Sequence, residues 1–248
     1  MNRKTYIALG VIVFLATLVI QIPAAVAYRW LAPDTIRLTG INGTLWGGRA
    51  RLGSVEVLGF QDLKWDLKPT RLLLGRVAAD VSMQLGEGFL EGGIATGLSG
   101  NSLIADELKG SCSLANFKDL VPIAGLGGIL NLDLKRLVID RGIPSEAEGS
   151  IRVGRLTVAA AGGDILGDYQ LTFEESLPEE GIAGRIKDLG TGPFEVAGSL
   201  RVAADGNFAL QGTIKSRPSA PAHLHGMLQF LGPEAPDGSR EFDLTGSL

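Results

Sequence analysis

Phe194-Glu-Val196-Ala-Gly198-Ser-Leu200-Arg-Val202 and, after a short break, Phe208-Ala-Leu210-Gln-Gly212-Thr-Ile214-Lys215 decide how this chain folds. In both, large apolar residues alternate with polar or small ones. Successive side chains of a strand point to opposite faces, so a period of two describes a strand with one dry face and one wet face. Asp205-Gly206 lies between the two runs and predicts a hairpin with a primed turn, which needs positive φ.

The same period spreads outward along the chain. Leu63-Lys-Trp65-Asp-Leu67-Lys68 sets three large apolar groups against three charges, and Val77 to Leu85 repeats it with Val81 and Met83 on the dry side. Shorter copies occur at 130–134, 151–153, 169–173 and 242–246. Glycines punctuate these runs at short, regular intervals, a spacing that favours an antiparallel meander over β-α-β units. The fold class is therefore mainly β. Gly198 and Gly212 sit inside strands, where they are expected to allow bulges or strong bending, as in a sheet curled on itself. The expected lining of its dry face is Trp46, Leu63, Trp65, Leu67, Val81, Met83, Phe194, Val196, Leu200, Phe208 and Leu210.

Two short helices are expected to cap the ends of that sheet. One starts at Asn116-Phe-Lys-Asp119 and runs into Leu120, Val121, Ile123 and Ala124; the other spans Pro221 to Leu231 and stops at Gly232-Pro233. Gly43–Arg49 can be laid on Gly149–Arg155, which suggests two similar halves, about 35–142 and 143–248.

The N-terminus follows a different rule. Residues 6–20 carry no charge, and with Ile22 the apolar set comprises Tyr6, Ile7, Val11, Ile12, Val13, Phe14, Leu15, Leu18, Val19, Ile20 and Ile22. About twenty such residues cross a bilayer as a helix. Arg3 and Lys4 assign residues 1–4 to the cytoplasm by the positive-inside rule, residues 5–27 to a transmembrane anchor, and residues 35–248 to the far side. Tyr28, Arg29 and Trp30 fit the membrane interface. A cleaved secretory signal is the alternative, since Ala25-Val-Ala27 fits a cleavage site, but the apolar stretch exceeds the usual h-region of about 7–15 residues. Both readings export the β-rich part.

Chemistry is sparse. The chain has 248 residues, one cysteine, two histidines and a net charge of −4. A single Cys forms no intrachain disulfide and no Cys-based metal cluster, and the acidic balance argues against a nucleic-acid partner. His223 and His225 lack a third ligand nearby and read as surface histidines. No Gly-x-Ser-x-Gly elbow or P-loop is present, and Glu174-Glu175 and Glu179-Glu180 read as a solvated loop around Pro178. No catalytic residue, metal ligand or cofactor is expected.

Three motifs, in order and spacing, carry a family resemblance: Leu38-Thr-Gly-Ile-Asn-Gly-Thr-Leu-Trp-Gly-Gly48 after the anchor; Leu63-Lys-Trp-Asp-Leu-Lys-Pro69 with Leu72-Leu-Leu-Gly75; and the ending Leu228-Gln-Phe-Leu-Gly232, Asp237-Gly238, Phe242-Asp-Leu-Thr-Gly-Ser-Leu248. The chain resembles the type II secretion system protein N family. That resemblance implies a non-enzymatic, single-pass protein of the cell inner membrane, with its bulk in the periplasm. The resemblance places such a protein in the machine that moves folded proteins across the outer membrane. The implied partners are other subunits of the inner-membrane platform and the outer-membrane secretin. The family is also similar to the AsmA-like group, whose sheets curl into half-pipes with an apolar groove that can hold lipid. Two readings follow, a scaffold that docks other subunits and a groove that binds acyl chains; the resemblance favours the scaffold. A scaffold should fill its dry face with Trp46, Trp65, Phe194 and Phe208, whereas a carrier should leave a channel lined by small residues.

Overall fold

The computed structural model describes residues 6, 14, 17–32, 35–72, 74–97, 100–118, 123–174 and 181–247. They build one fourteen-stranded sheet. Its strands are β1 (Ile36–Thr39), β2 (Asn42–Gly43), β3 (Gly47–Val55), β4 (Leu58–Leu67), β5 (Arg76–Leu85), β6 (Gly88–Gly97), β7 (Ser102–Ser113), β8 (Gly127–Asp140), β9 (Ile143–Thr157), β10 (Gly167–Phe173), β11 (Ile182–Asp188), β12 (Phe194–Val202), β13 (Asn207–Ser216) and β14 (Ser239–Ser247). From β3 onward each strand pairs antiparallel with the next, and β1 and β2 share the free side of β3. The meander read from the alternation is thus confirmed. Among the described residues β1 and β14 have no pairing partner beyond β3 and β13, so the sheet is open and not a closed barrel.

The register sorts polar from apolar. Met83, Leu90, Gly110, Leu132, Ile151, Leu171, Ile186, Gly198, Gly212 and Phe242 are consecutive cross-strand partners from β5 to β14. The neighbouring row, one residue along, is Ser82, Glu91, Lys109, Asp133, Ser150, Thr172, Arg185, Ser199, Gln211 and Asp243. Directly paired residues share a face, so ten strands present one unbroken apolar row and one unbroken polar row on opposite sides.

Bulges keep that sorting intact, and they do not lie where the glycines suggested. Gly198 faces Gly212 in regular register. The register shifts instead between Gln61 and Lys64, between Glu91 and Gly93 opposite Glu107, around Arg155, and at three places along the β8–β9 pair. Asp62, Glu107 and Arg155 take φ of 47°, 51° and 52° at the first three. One extra polar residue in the left-handed region returns Leu63, Leu108 and Leu156 to the dry side, adding twist to the strand.

The two sheet ends differ. At the near end the chain arrives from residues 17–22, with Trp46 Nε1 donating to the Val19 carbonyl at 2.9 Å. Both short helices lie at the opposite, far end, not one at each end as expected. The first is a 3-10 turn, Leu114–Phe117, capped by the Ser113 hydroxyl, and so begins before the expected Asn116; residues 119–122 lie outside the described residues. The second is helix Ala222–Met227 continued by a 3-10 turn Leu228–Leu231, as expected. Phe60, Leu85 and Cys112 pack with Phe117 beneath the first, and Phe194, Ala161 and Leu166 with Leu224 beneath the second. The loop at Asp205-Gly206 is a hairpin, but of four residues: only Gly206 has positive φ, and the Ala203 N–H donates to the Asn207 carbonyl at 2.8 Å.

The expected anchor is only partly within view. Arg3, Lys4, Ile7, Val11, Ile12, Val13 and Leu15 lie outside the described residues. Tyr6, Phe14, Leu18, Val19 and Ile20 are helical and about half to two-thirds exposed (48–63%). The helix breaks at Gln21, Pro23 bridges to Thr44, and a separate helix α1 (Ala24–Leu31) follows with Ala24 and Ala27 buried. Among the described residues no helix is long and apolar enough to cross a membrane.

Candidate functional site: the apolar face and its two edges

The structure brings most of the sequence-expected lining residues onto one face. Trp65 pairs with Val81, Leu67 with Ala79, Val196 with Ile214, Leu200 with Leu210 and Val202 with Phe208; Leu63 and Met83 join Phe60 in one cluster. Phe194 is 4% exposed under Leu224. Trp46 lies off the strands, in the bend before β3. Its neighbour Leu45 accepts the Trp65 indole N–H at 3.2 Å.

Glycine explains why these large groups do not fill the space above the sheet. A methyl built on Gly53 would coincide with the Phe60 ring, and one on Gly48 with the Trp65 indole. Built on Gly246 it would come within 2.7 Å of the Phe208 ring, and on Gly212 within 2.6 Å of the Phe242 ring. Each ring therefore lies down on a neighbouring strand's bare backbone instead of standing upright. Among the described residues no second layer crosses the face, and Leu132, Leu171, Ile186, Leu200 and Leu210 remain only partly buried.

One inward-facing acid interrupts the dry side, and nothing in the alternation announced it. Asp188 ends β11 opposite Tyr169; its side chain is 10% exposed and binds Arg217 Nη2 at 2.6 Å. It also accepts the backbone N–H of Gly190 and of Val196, at 2.8 and 2.9 Å, while Arg217 donates to the Gly192 and Phe194 carbonyls. Burial by itself would raise the Asp188 carboxyl, but Arg217 and those two donors outweigh it and hold it below its ordinary 3.8. Both carboxylate oxygens have donors, three in all, so the cluster is a clasp joining the β11–β12 turn to the end of β13. Nearby, burial and then the Asp188 charge push the Tyr169 phenol up to about 12.

The histidines stand on helix α3 (Ala222–Met227; α2 is Pro69–Leu72). His223 Nε2 lies 2.8 Å from Asp164 Oδ2, and His225 Nδ1 lies 3.1 Å from the Pro221 carbonyl. Among the described residues no three His, Cys, Asp or Glu cluster to hold a metal. Cys112 is a core residue, and burial raises its thiol.

The sheet edges differ in what they offer a partner. Beside β1, the Tyr28 hydroxyl donates to the Ile36 carbonyl at 2.8 Å and accepts the Leu38 N–H at 3.0 Å. One side chain thus stands where a strand would hydrogen-bond. Tyr28, expected at the membrane interface, is engaged here, while Trp30 on the same helix is 79% exposed. β14 has nine residues, and among the described residues nothing pairs with its outer side. Leu244 is 56% exposed on it, and a depression of about 530 Å3 lined by Arg201, Phe208, Thr245 and Gly246 opens at its end.

This fold carries a family signature from near its first strand into its last. The model of the family described as type II secretion system (T2SS), protein N, matches residues 34–243. The chain belongs to that family. It is similar to the type II secretion system protein N of Vibrio cholerae, with 27% identity over 252 residues covering 95% of each chain. It is similar also to the protein of that name from Aeromonas hydrophila, with 27% identity over 254 residues covering 98% of each. No solved structure matches the chain.

Proposed function

We propose that this chain is a non-enzymatic component of the type II secretion machinery, anchored in the inner membrane by residues 5–27, with residues 35–248 in the periplasm. We infer that it acts by holding other subunits, of the inner-membrane platform or the outer-membrane secretin, along the β14 edge. The observation that carries this reading is the contrast of a sealed β1 edge with an open one of nine residues. A partner strand would gain main-chain hydrogen bonds from β14. It would meet Phe242 and Leu244 on one face and Glu241 and Asp243 on the other, so basic residues suit the second set. The burial of Ala24 and Ala27 supports retention of the N-terminal segment over cleavage after Ala27.

A photo-crosslinker at Leu244, compared with one at Thr39, tests the docking. Adducts with secretion subunits from position 244 alone, with a secretion defect on deletion of the gene, are expected. No adduct from 244 together with undiminished secretion would end the idea.

The second reading, that the apolar face holds acyl chains, is favoured by rings that lie flat on glycines beneath an uncovered face. Native mass spectrometry of the detergent-purified full chain decides it: co-purified acyl species support it, and a clean mass of the protein alone removes it.

A further inference from the structure

The turn between β4 and β5 carries apolar residues on its outside. Leu74 is 72% exposed and Leu72 37% exposed, and they lie between Arg71 and Arg76. Neither arginine has an ion-pair partner among the described residues, whereas Lys68 at the turn's start is neutralised by Asp80 at 2.6 Å. The turn is ordered by its own hydrogen bonds: Arg71 N–H to the Lys68 carbonyl, Leu74 N–H to Arg71 and Gly75 N–H to Leu72, each 3.0 Å. Two leucines held outward between two free guanidinium groups form an amphipathic tip. Such tips sit at a bilayer surface, the chains among acyl groups and the cations at headgroup phosphates.

Its position in the fold gives the same direction. The Leu67 N–H, one residue before the turn, donates to the Trp46 carbonyl at 2.6 Å, and the Trp46 indole donates to Val19 at 2.9 Å. The Leu45 N–H donates to the Ile22 carbonyl at 2.8 Å. The turn therefore emerges at the end of the sheet that grips the last residues of the apolar N-terminal segment. We propose that the described residues of the β4–β5 turn form a second membrane contact, with Leu72 and Leu74 inserted at the interface and Arg71 and Arg76 on the phosphates of anionic lipid. This rests on the anchoring of residues 5–27 proposed above. Two contacts at separate points would fix the tilt of the sheet over the bilayer, which a single helix leaves free.

The test places an environment-sensitive fluorophore on single cysteines in the full chain, with Cys112→Ala as background, reconstituted into vesicles of phosphatidylethanolamine and phosphatidylglycerol. Labels are placed at Leu74→Cys, at Val57→Cys in the far-end β3–β4 turn, and at Leu15→Cys in the apolar segment. The proposal expects blue-shifted emission at 74 that brominated lipid quenches, quenching at 15, and water-like unquenched emission at 57. Arg71→Gln with Arg76→Gln should lose most of the quenching at 74 and leave that at 15 unchanged. Water-like emission at 74 with quenching at 15 overturns the second contact and leaves the anchor standing. Absence of quenching at both overturns the anchoring reading and this one with it. Equal quenching at 74 and 57 overturns the assignment of a membrane-facing end.

Discussion

The two edges of the sheet face the same hazard, a row of unpaired backbone groups, and answer it differently. β1 is four residues long and has helix α1 beside it, with the Tyr28 hydroxyl serving one carbonyl and one N–H at once. β14 is more than twice as long, has no such guard among the described residues, and shows only the charges of Glu241 and Asp243 to deter pairing. An edge sealed by a side chain cannot admit a strand without losing that side chain's bonds, whereas an edge guarded by charge admits a partner of complementary charge. The difference leaves the β14 side as the one open to a further strand.

Both sides use one packing device, a ring laid on a glycine, so the largest expected effect comes from removing it on each. Phe60 on Gly53 is 6% exposed and anchors the cluster with Leu85 and Cys112; Phe242 on Gly212 is only partly buried. Phe60→Ala should cost about 3–5 kcal/mol, the usual range for a buried aromatic. Phe242→Ala should cost roughly half to two-thirds as much, because the part of its area left in water contributes nothing. Chemical denaturation of the detergent-solubilised protein measures both. Equal losses would show that the β14 side is as tightly packed as the β1 side, and the contrast would fall.

Next in size is the clasp behind the open edge. Asp188→Asn removes the charge that Arg217 and two backbone donors hold, for a loss of about 2 kcal/mol at neutral pH. The native Asp188 carboxyl titrates below its ordinary 3.8, so its contribution is complete above that value and is lost as pH falls through the lowered native value. The gap between wild type and Asp188→Asn should stay constant from neutral pH down to about 4 and close below it. A gap that closed on going up in pH would refute the clasp.

Tyr28→Phe tests the seal itself. It keeps the ring and deletes two hydrogen bonds, for about 1 kcal/mol. Its clearest sign is local: the Leu38 amide should exchange with solvent far faster while amides in β8 and β9 are unaffected. Unchanged exchange at Leu38 would mean that helix α1, not the hydroxyl, protects this edge.

Much of this was legible in the sequence, and the parts that were not share a physical reason. The alternation in 63–68, 77–85, 194–202 and 208–215 sufficed for mainly β, antiparallel and one dry face, because register is forced wherever one face must be apolar. The bulges escaped because Gln61-Asp62 and Asp106-Glu107 read as breaks in the pattern; the return of Leu63 and Leu108 three residues after Phe60 and Ala105 was the available signal. Gly198 and Gly212 were read as bends, but their role depends on Phe242, distant in sequence. Tyr28 was assigned to a membrane interface from its place after the apolar run, and its hydroxyl's bonds to Ile36 and Leu38 are visible only in three dimensions. Asp188 likewise falls on the apolar side, where its clasp depends on a cation contributed by the end of β13.

The smallest effect on folding belongs to the open edge, and it is the most telling for function. Leu244 already faces solvent, so Leu244→Lys should change stability by less than about 0.5 kcal/mol, as surface substitutions do. A lysine on an edge strand is one of the ordinary means of refusing a further strand. The variant should therefore fold as the wild type by denaturation, give fewer higher-order species by light scattering, and lose crosslinks to secretion subunits from a probe at Thr245. If those crosslinks survived, docking would proceed without pairing along β14, and the asymmetry of the two edges would serve only to keep the chain from aggregating.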